Sequence, residues 1–330
     1  MDTVPKPIFI SGASGSIGLA LARSLSESGQ AVRAMVRNEG RAAALRNLDQ
    51  VETVSADLSR PSSLRGLLDG CGVVYHSAAK LGGSDLAAYQ AVNVDGTQAL
   101  VEEAVRAGVE RFVQVSTFLV NGYGKKQMLT EDDPWMDNDA PYIVTKRAAE
   151  QAVWAFTQKI PIVVARPGDV YGPGQFTWTV QFIEKIKQGL IMPPRDAESG
   201  ILNLVYIDNL VDALRRMGTH PAAVGQAFNV VDGTPMRVSE YIRSLAAMVG
   251  RKPPAVPVFV LRGGAALLML ADRLRSREAF TTPESVNFLL NHTTVSNAKL
   301  REHLGWSPTV SRDEALRRIE TWVRSLEYSS

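Results

Sequence analysis

From Ile8 to Ser116, short runs of aliphatic and β-branched residues alternate with longer stretches whose apolar positions recur at helical spacing. The runs Ile8 to Ser11, Ala31 to Val36, Val51 to Ser55, Gly72 to His76 and Arg111 to Ser116 read as strands. Between them, Ile17 to Glu27 sets Ile17, Leu21 and Leu25 one helical turn apart, and Leu86 to Ala107 repeats the theme. Such alternation implies βαβ units and a parallel sheet. Ile162 to Arg166 reads as a sixth strand, followed by the turn-rich segment Pro167 to Gly174.

Beyond this point the alternation weakens. Val180 to Gln188 and Val238 to Val249 read as helices, Leu202 to Tyr206 and Ala227 to Val231 as strands, and Pro283 to Leu326 as mainly helical with breaks at Gly305 and Pro308. No repeat, low-complexity block or linker separates two bodies. The expected architecture is α/β: a doubly wound parallel Rossmann-type sheet with a smaller, interleaved C-terminal lobe. Residues 1–172 form the sheet domain, with segments near 202–232 returning to it, and residues 173–201 and 233–330 form the lobe.

Composition narrows the class of partner. Lys and Arg total 36 against 34 for Asp and Glu, a balance without the basic footprint of a nucleic-acid binder, so a small molecule is expected. Cys71 is the single cysteine, which excludes an intrachain disulfide framework, and the four histidines lack metal-site spacing, so no metal is expected. The short polar start, Met1 to Pro7, leads directly into the first strand, and a cytoplasmic protein is the expectation. Val256 to Ala271 is apolar but interrupted by Arg262 and the pair Gly263-Gly264. It is shorter than the roughly 20 residues a bilayer-spanning helix requires. It reads as an amphipathic or core element with at most peripheral membrane contact.

The first strand runs into Gly12-Ala13-Ser14-Gly15-Ser16-Ile17-Gly18 and then a helix. Glycines let the backbone turn sharply and approach a pyrophosphate, and a helix N-terminus aims N–H groups at the anion, so this is the expected dinucleotide site. The second strand ends in Val36-Arg37-Asn38, with Arg33 nearby and no acidic residue before Glu39. A cation there neutralises a 2′-phosphate where a carboxylate would take ribose hydroxyls, so NADP(H) is favoured over NAD(H).

With this glycine pattern and Tyr142-Ile143-Val144-Thr145-Lys146, the chain resembles the extended short-chain dehydrogenase/reductase superfamily. The resemblance extends in order through Asp57-Leu58, His76-Ser77-Ala78-Ala79, Asn93-Val94-Asp95-Gly96-Thr97, Val115-Ser116-Thr117, Arg166 to Gly174 and Leu304-Gly305-Trp306-Ser307-Pro308. It implies that Tyr142 is the acid/base and that Thr117 binds the substrate oxygen. Lys146 would tune the tyrosine and hold the nicotinamide ribose. A lysine four residues along shares the tyrosine's helix face, where an ammonium lowers a phenol from its reference near 10. The resemblance also places Asp57 and Leu58 beside the adenine, and Ala78, Ala79 and Lys80 along the dinucleotide. Ser116, Pro167, Gly168 and Val170 fall near the nicotinamide, and Asn93 matches the family's helix-ordering asparagine.

Three features bear on the branch. Phe118 and Leu119 follow Thr117 where sugar dehydratases carry an acid–base pair. Leu202 stands where sugar-nucleotide epimerases carry an arginine, with Arg195 and Arg237 the alternatives. Leu204 to Asn209 resembles the 3β-hydroxysteroid dehydrogenase branch. The expected activity is NADP(H)-dependent reduction of a ketone, or oxidation of the alcohol, on a small hydrophobic substrate. The alternatives are an NAD-dependent nucleotide-sugar epimerase and a non-catalytic dinucleotide-binding regulator. A homodimer is expected through Leu86 to Ala107 and Tyr142 to Phe156, with Val153, Trp154 and Phe156 in the contact.

Overall fold

The computed structural model of the protein describes residues 6–38, 40, 42–124, 126–137, 140–274 and 283–327. Glu39 and most of the segment Met1 to Pro7 lie outside the described residues. In chain order the strands are β1 (Ile8–Ser11), β2 (Val32–Val36), β3 (Val51–Ser55), β4 (Val73–His76), β5 (Arg111–Val115), β6 (Met128–Leu129), β7 (Ile162–Pro167), β8 (Asp169–Tyr171), β9 (Ile201–Leu202), β10 (Leu204–Tyr206), β11 (Gln226–Val230), β12 (Met236–Arg237) and β13 (Thr294–Val295). The helices are α1 (Ser16–Glu27), α2 (Ala43–Arg46), α3 (Leu86–Tyr89), α4 (Gly96–Arg106), α5 (Pro141–Trp154), α6 (Gln181–Lys187), α7 (Ile207–Thr219), α8 (Val238–Met248), α9 (Val258–Leu274), α10 (Pro283–Leu289), α11 (Ala298–Leu304) and α12 (Arg312–Glu327).

Seven strands form one parallel sheet in the order β11-β7-β5-β4-β1-β2-β3. The chain reverses its progress across the sheet between β1 and β4, which opens a crevice outside their carboxyl ends. Helices cover both faces, so the inner strands are apolar on both: Phe9, Ile10, Val74, Phe112, Val113, Val163 and Val164 are fully buried. Leu21 and Leu25 of α1 with Leu210, Leu214 and Met217 of α7 fill one side. Leu100, Val101 and Ala104 of α4 with Val153 of α5 fill the other. Val153, read from the sequence as part of an intersubunit contact, therefore lies in the chain's own core, with Trp154 and Phe156 packed partly against it.

Three elements differ from their sequence pattern, each for a tertiary reason. The stretch Leu86 to Ala107 is interrupted by a π turn over Gln90–Asp95, in which Asn93 turns its amide to Lys80 and Thr145. Inside the turn-rich Pro167 to Gly174 lies β8, which pairs in parallel with β10 away from the main sheet. The run Leu202 to Tyr206 is split at Asn203, whose side chain donates to the Thr293 carbonyl (2.9 Å) and accepts from the Val295 amide (2.8 Å). These contacts tie the late chain to the segment following β7. Among the described residues no helix is long and apolar enough to cross a membrane, and α9 leaves Phe259, Leu267 and Leu270 exposed.

Candidate active site

At Gly12, which follows β1, φ is +71°, and a Cβ would fall 2.6 Å from the Ala78 amide nitrogen. Backbone sign and the close approach of the loop after β4 both require glycine there. At Gly18 a Cβ would fall 2.2 Å from the Gly12 carbonyl oxygen, so that glycine seats α1 against the turn. Gly15 has ordinary extended dihedrals (φ −82°, ψ 167°), and a Cβ there would meet only the Gly12 carbonyl oxygen, at 3.2 Å. Internal packing explains it least, and close approach of a ligand explains it best. The Gly15 amide closes the turn on the Gly12 carbonyl (2.9 Å), so it is not the anion donor. The first amides of α1, at Ser16 and Ile17, could meet an anion: the helix has no capping side chain and no acid in its first turn. Ser14 is half-buried beside them and Ser16 is exposed.

The residues expected at the adenosine end lie on the loops after β2 and β3. Arg37 leaves β2 exposed. Burial raises the Asp57 carboxyl, but hydrogen bonds from the Ser59 amide (3.0 Å) and hydroxyl (2.8 Å), with the charges of Arg37 and Arg60, outweigh it and hold the group below the usual range. Two guanidinium groups therefore act on one rim. Arg33 is not a third: its guanidinium donates to the Leu67 and Asp69 carbonyls (2.9 and 3.0 Å), four residues and roughly 13 Å back along the strand. Leu58, expected beside the adenine, is buried in the core, against the position a Cβ would take at Gly96.

Ala78 and Ala79 are half-buried after β4. Lys80 exchanges backbone hydrogen bonds with the Asn93 side chain and holds its ammonium 5.4 Å from the Tyr89 ring centre, which directs its charge to that ring. At the end of β7, Pro167 pairs with Val230, and a Cβ on Gly168 would fall 2.1 Å from the Asn203 carbonyl oxygen. Val170 follows in β8, half-buried. Ser116, just past β5, donates its amide to the Ala165 carbonyl (2.7 Å), while its buried hydroxyl has no partner. A buried orphan hydroxyl in this crevice, a glycine with room beside it and an uncapped helix start together fit a dinucleotide.

Tyr142, Lys146 and Glu150 stand at successive turns on one face of α5. The Tyr142 hydroxyl lies near the Thr117 side chain, which lowers its pKa, and the Thr117 oxygen accepts the Leu119 amide (3.3 Å) at the head of a short 3-10 helix. Lys146 is 3% exposed and donates to the Val115 carbonyl (2.6 Å). Burial pushes the Lys146 ammonium down to about 8, against the pull of Glu150. The phenol departs from its expected direction. Burial pushes Tyr142 up to about 12, against the pull of the Thr117 side chain and with Tyr89 adding to the rise. The Lys146 ammonium is drawn onto the Val115 carbonyl, and loss of solvent around a phenolate decides the sign.

Beneath these groups runs a buried relay that the sequence reading did not reach. Thr97 donates to the Asn93 carbonyl (2.6 Å), so its oxygen accepts from His76 Nε2 (2.8 Å), and His76 Nδ1 then accepts from the Ser11 hydroxyl (2.5 Å). The Asn93 amide continues to the Thr145 hydroxyl (3.1 Å). The glycine turn and α5 are thereby connected through hydrogen bonds. Burial, reinforced by the Lys146 charge, pushes His76 down to about 3, so it stays neutral. The unfolded chain binds this proton below the ordinary histidine value and the folded chain does not. Stability is therefore expected to fall as pH drops from about 6.5 towards 3, by at most ~1.4 kcal/mol per pH unit from this group. Urea midpoints measured against pH should show a shallower acid slope in His76→Gln than in wild type.

A parallel sheet with a glycine turn at its switch point, and a Thr–Tyr–Lys group on the adjoining loop and helix, defines a class of dinucleotide-dependent oxidoreductase. The chain belongs to the NAD dependent epimerase/dehydratase family, which it matches over residues 8–231, and a nicotinamide dinucleotide is its cofactor. It is similar to UDP-glucose 4-epimerase of Vibrio cholerae, at 28% identity over 95% of this chain and 94% of that protein. It is also similar to 2-alkyl-3-oxoalkanoate reductase of Stenotrophomonas maltophilia (28%; 95% and 98%) and to 3-beta-hydroxysteroid dehydrogenase of Mycolicibacterium neoaurum (27%; 94% and 89%). Among solved structures, an epimerase of Methanothermobacter thermautotrophicus superposes with a TM-score of 0.80 at 23% identity, covering 98% of this chain and 94% of that one. At that identity the likeness is one of fold.

Proposed function

We propose that the protein is an NADP(H)-dependent oxidoreductase that reduces a ketone, or oxidises the corresponding alcohol, on a hydrophobic substrate. The bound dinucleotide supplies or accepts the hydride. Tyr142 donates the proton to the substrate oxygen, Thr117 hydrogen-bonds that oxygen, and Lys146 holds the ribose. A phenol kept protonated by burial is poised as an acid, the role that reduction demands.

The substrate class rests on one observation, an aromatic run that starts on the loop after Thr117. Tyr123, on the loop that follows Thr117, meets Phe288 of α10 edge-on at 5.1 Å between centroids. Phe288 lies 5.9 Å from Trp178, and Trp178 5.3 Å from Phe182 of α6. Such a wall suits an apolar skeleton. The positions expected to meet a diphosphate do not offer a free pair of cations: Leu202 is fully buried, and Arg237 donates to the Asp196 carbonyl (2.7 Å), leaving Arg195 exposed at the surface. The reductase and the hydroxysteroid dehydrogenase among the relatives support this reading.

The test is turnover of a panel of β-keto acids and ring ketones with added NADPH, which should be consumed in proportion to alcohol formed. Interconversion of UDP-sugars by protein that purifies with NAD, without consumption of added NADPH, would overturn the reading in favour of the epimerase. The preference for the phosphorylated cofactor rests on Arg37 beside Asp57 and Arg60. Arg37→Asp is expected to weaken NADPH about tenfold or more, the worth of one charged hydrogen bond, and NADH far less. Equal losses in fluorescence titrations of the two cofactors would remove that preference.

A further inference from the structure

We propose that Glu150, paired with Arg166 in the protein interior, is a positioning residue that keeps the Lys146 side chain charged and fixes the helix carrying Tyr142 to strand β7. The proposal builds on the roles assigned above to Tyr142 and Lys146.

The pair is fully enclosed. The Glu150 side chain is 0% exposed and that of Arg166 5%, with Nη2 and Oε1 2.5 Å apart. Arg166 Nε also donates to both carboxylate oxygens (3.2 and 3.3 Å), and Trp154 Nε1 donates to Oε1 (3.3 Å). Arg166 Nη1 donates to Asn121 Oδ1 and to the Glu131 carbonyl, both at 3.0 Å. A buried ion pair is seldom more stabilising than apolar residues of equal volume, because both charges lose their water. Its position indicates what it does instead. Glu150 lies one turn beyond Lys146, and Arg166, on β7, directly precedes Pro167 and Gly168.

Among the described residues, the charges around Lys146 leave one source of compensation. From α5 come Tyr142, protonated, and Glu150; from β4, His76, neutral; from β5, only the Val115 carbonyl, with the Thr117 hydroxyl beyond it. Tyr89 lies past Tyr142, and Arg166 adds a second buried cation. Glu131 faces Arg166 and Lys299, and its carboxylate accepts the Asn229 amide (2.7 Å). Glu150 is thus the carboxylate that offsets both interior cations. Without it, Lys146 loses the one charge that favours its ammonium, and Arg166 is left a buried cation without its carboxylate in a medium that screens little.

The experiment is ¹³C NMR of lysine-labelled, dinucleotide-free protein, with the Lys146 signal assigned by Lys146→Met and followed against pH. In Glu150→Gln the Lys146 midpoint should fall by about one pH unit or more, since an opposite charge has been removed. The alkaline limb of kcat/KM should move down with it. Glu150→Asp, which keeps the charge, should stay near wild type. Glu150→Gln combined with Arg166→Met leaves no uncompensated charge from the pair, and its midpoint should lie between those of Glu150→Gln and wild type. That double variant decides the matter if the single one does not fold. A Lys146 midpoint unchanged from wild type in Glu150→Gln, or in the double variant if the single one does not fold, with only melting temperature lowered, would reduce Glu150 to a structural role. The NMR midpoint requires no turnover, so it stands apart from any failure of the proposed ketone reduction.

Discussion

Tyr142→Phe is expected to lower kcat/KM for the ketone by about 10²- to 10⁴-fold, the usual share of a positioned proton donor. The fold should survive. The substitution removes one hydroxyl, whose neighbour Thr117 retains the Leu119 amide, so the cost to stability is about 1 kcal/mol. Dinucleotide affinity should change little, because the glycine turn and the α1 amides lie on separate elements. Stopped-flow measurement of NADPH oxidation, alongside a thermal melt and a cofactor titration, separates these effects. Turnover at the wild-type rate in a folded, cofactor-binding variant would mean that the proton comes from elsewhere. The raised phenol also has a directional consequence. Because burial keeps Tyr142 protonated well above neutral pH, reduction should not weaken between pH 6 and 8 through loss of this proton, whereas oxidation, which requires the phenolate, should improve as pH rises.

Gly15→Val is expected to abolish useful dinucleotide binding, by about 100-fold or more in Kd, while leaving a folded protein. Its backbone lies in a region open to any residue, and only the Gly12 carbonyl oxygen, at 3.2 Å from a Cβ, must yield. The side chain would project into the space where a diphosphate meets the start of α1. Gly18→Val is the contrasting case. Its Cβ would sit 2.2 Å from a backbone oxygen and 2.8 Å from the Ala13 Cα, so stability should drop by about 1–3 kcal/mol or more before any ligand is considered. Calorimetric titration with NADPH and NADH, together with denaturant midpoints, distinguishes the two. If Gly15→Val binds dinucleotide as wild type does, the diphosphate does not rest on this turn.

Particular residues separate what the local pattern carries from what it does not. The spacing of Tyr142 and Lys146 was visible, and the next step of the same spacing reaches Glu150, so a search at successive helical turns could have found it. His76 was visible only as part of a motif. Its role depends on Ser11 and Thr97, which stand 65 positions before it and 21 after it in the chain. Arg33 stands near Arg37 in the sequence, yet its guanidinium is held by carbonyls of a distant loop, and no local pattern announces that. Leu58 falls in the expected loop but turns inward into the core, where it packs so closely against α4 that only a glycine fits at position 96.

By itself, the order of residues determined the strands, the helices over the sheet and the glycine turn, because each depends on neighbours within a few positions: apolar periodicity, backbone freedom, a helix opening after a strand. Tertiary structure alone decided that seven strands share one sheet with β11 beside β7, that a π turn aims Asn93 at α5, and that β8 leaves the sheet to join β10. It also decided the sign of the shift at Tyr142. Desolvation and charge are properties of what surrounds a group in space, and those surroundings are assembled from segments that the chain keeps far apart.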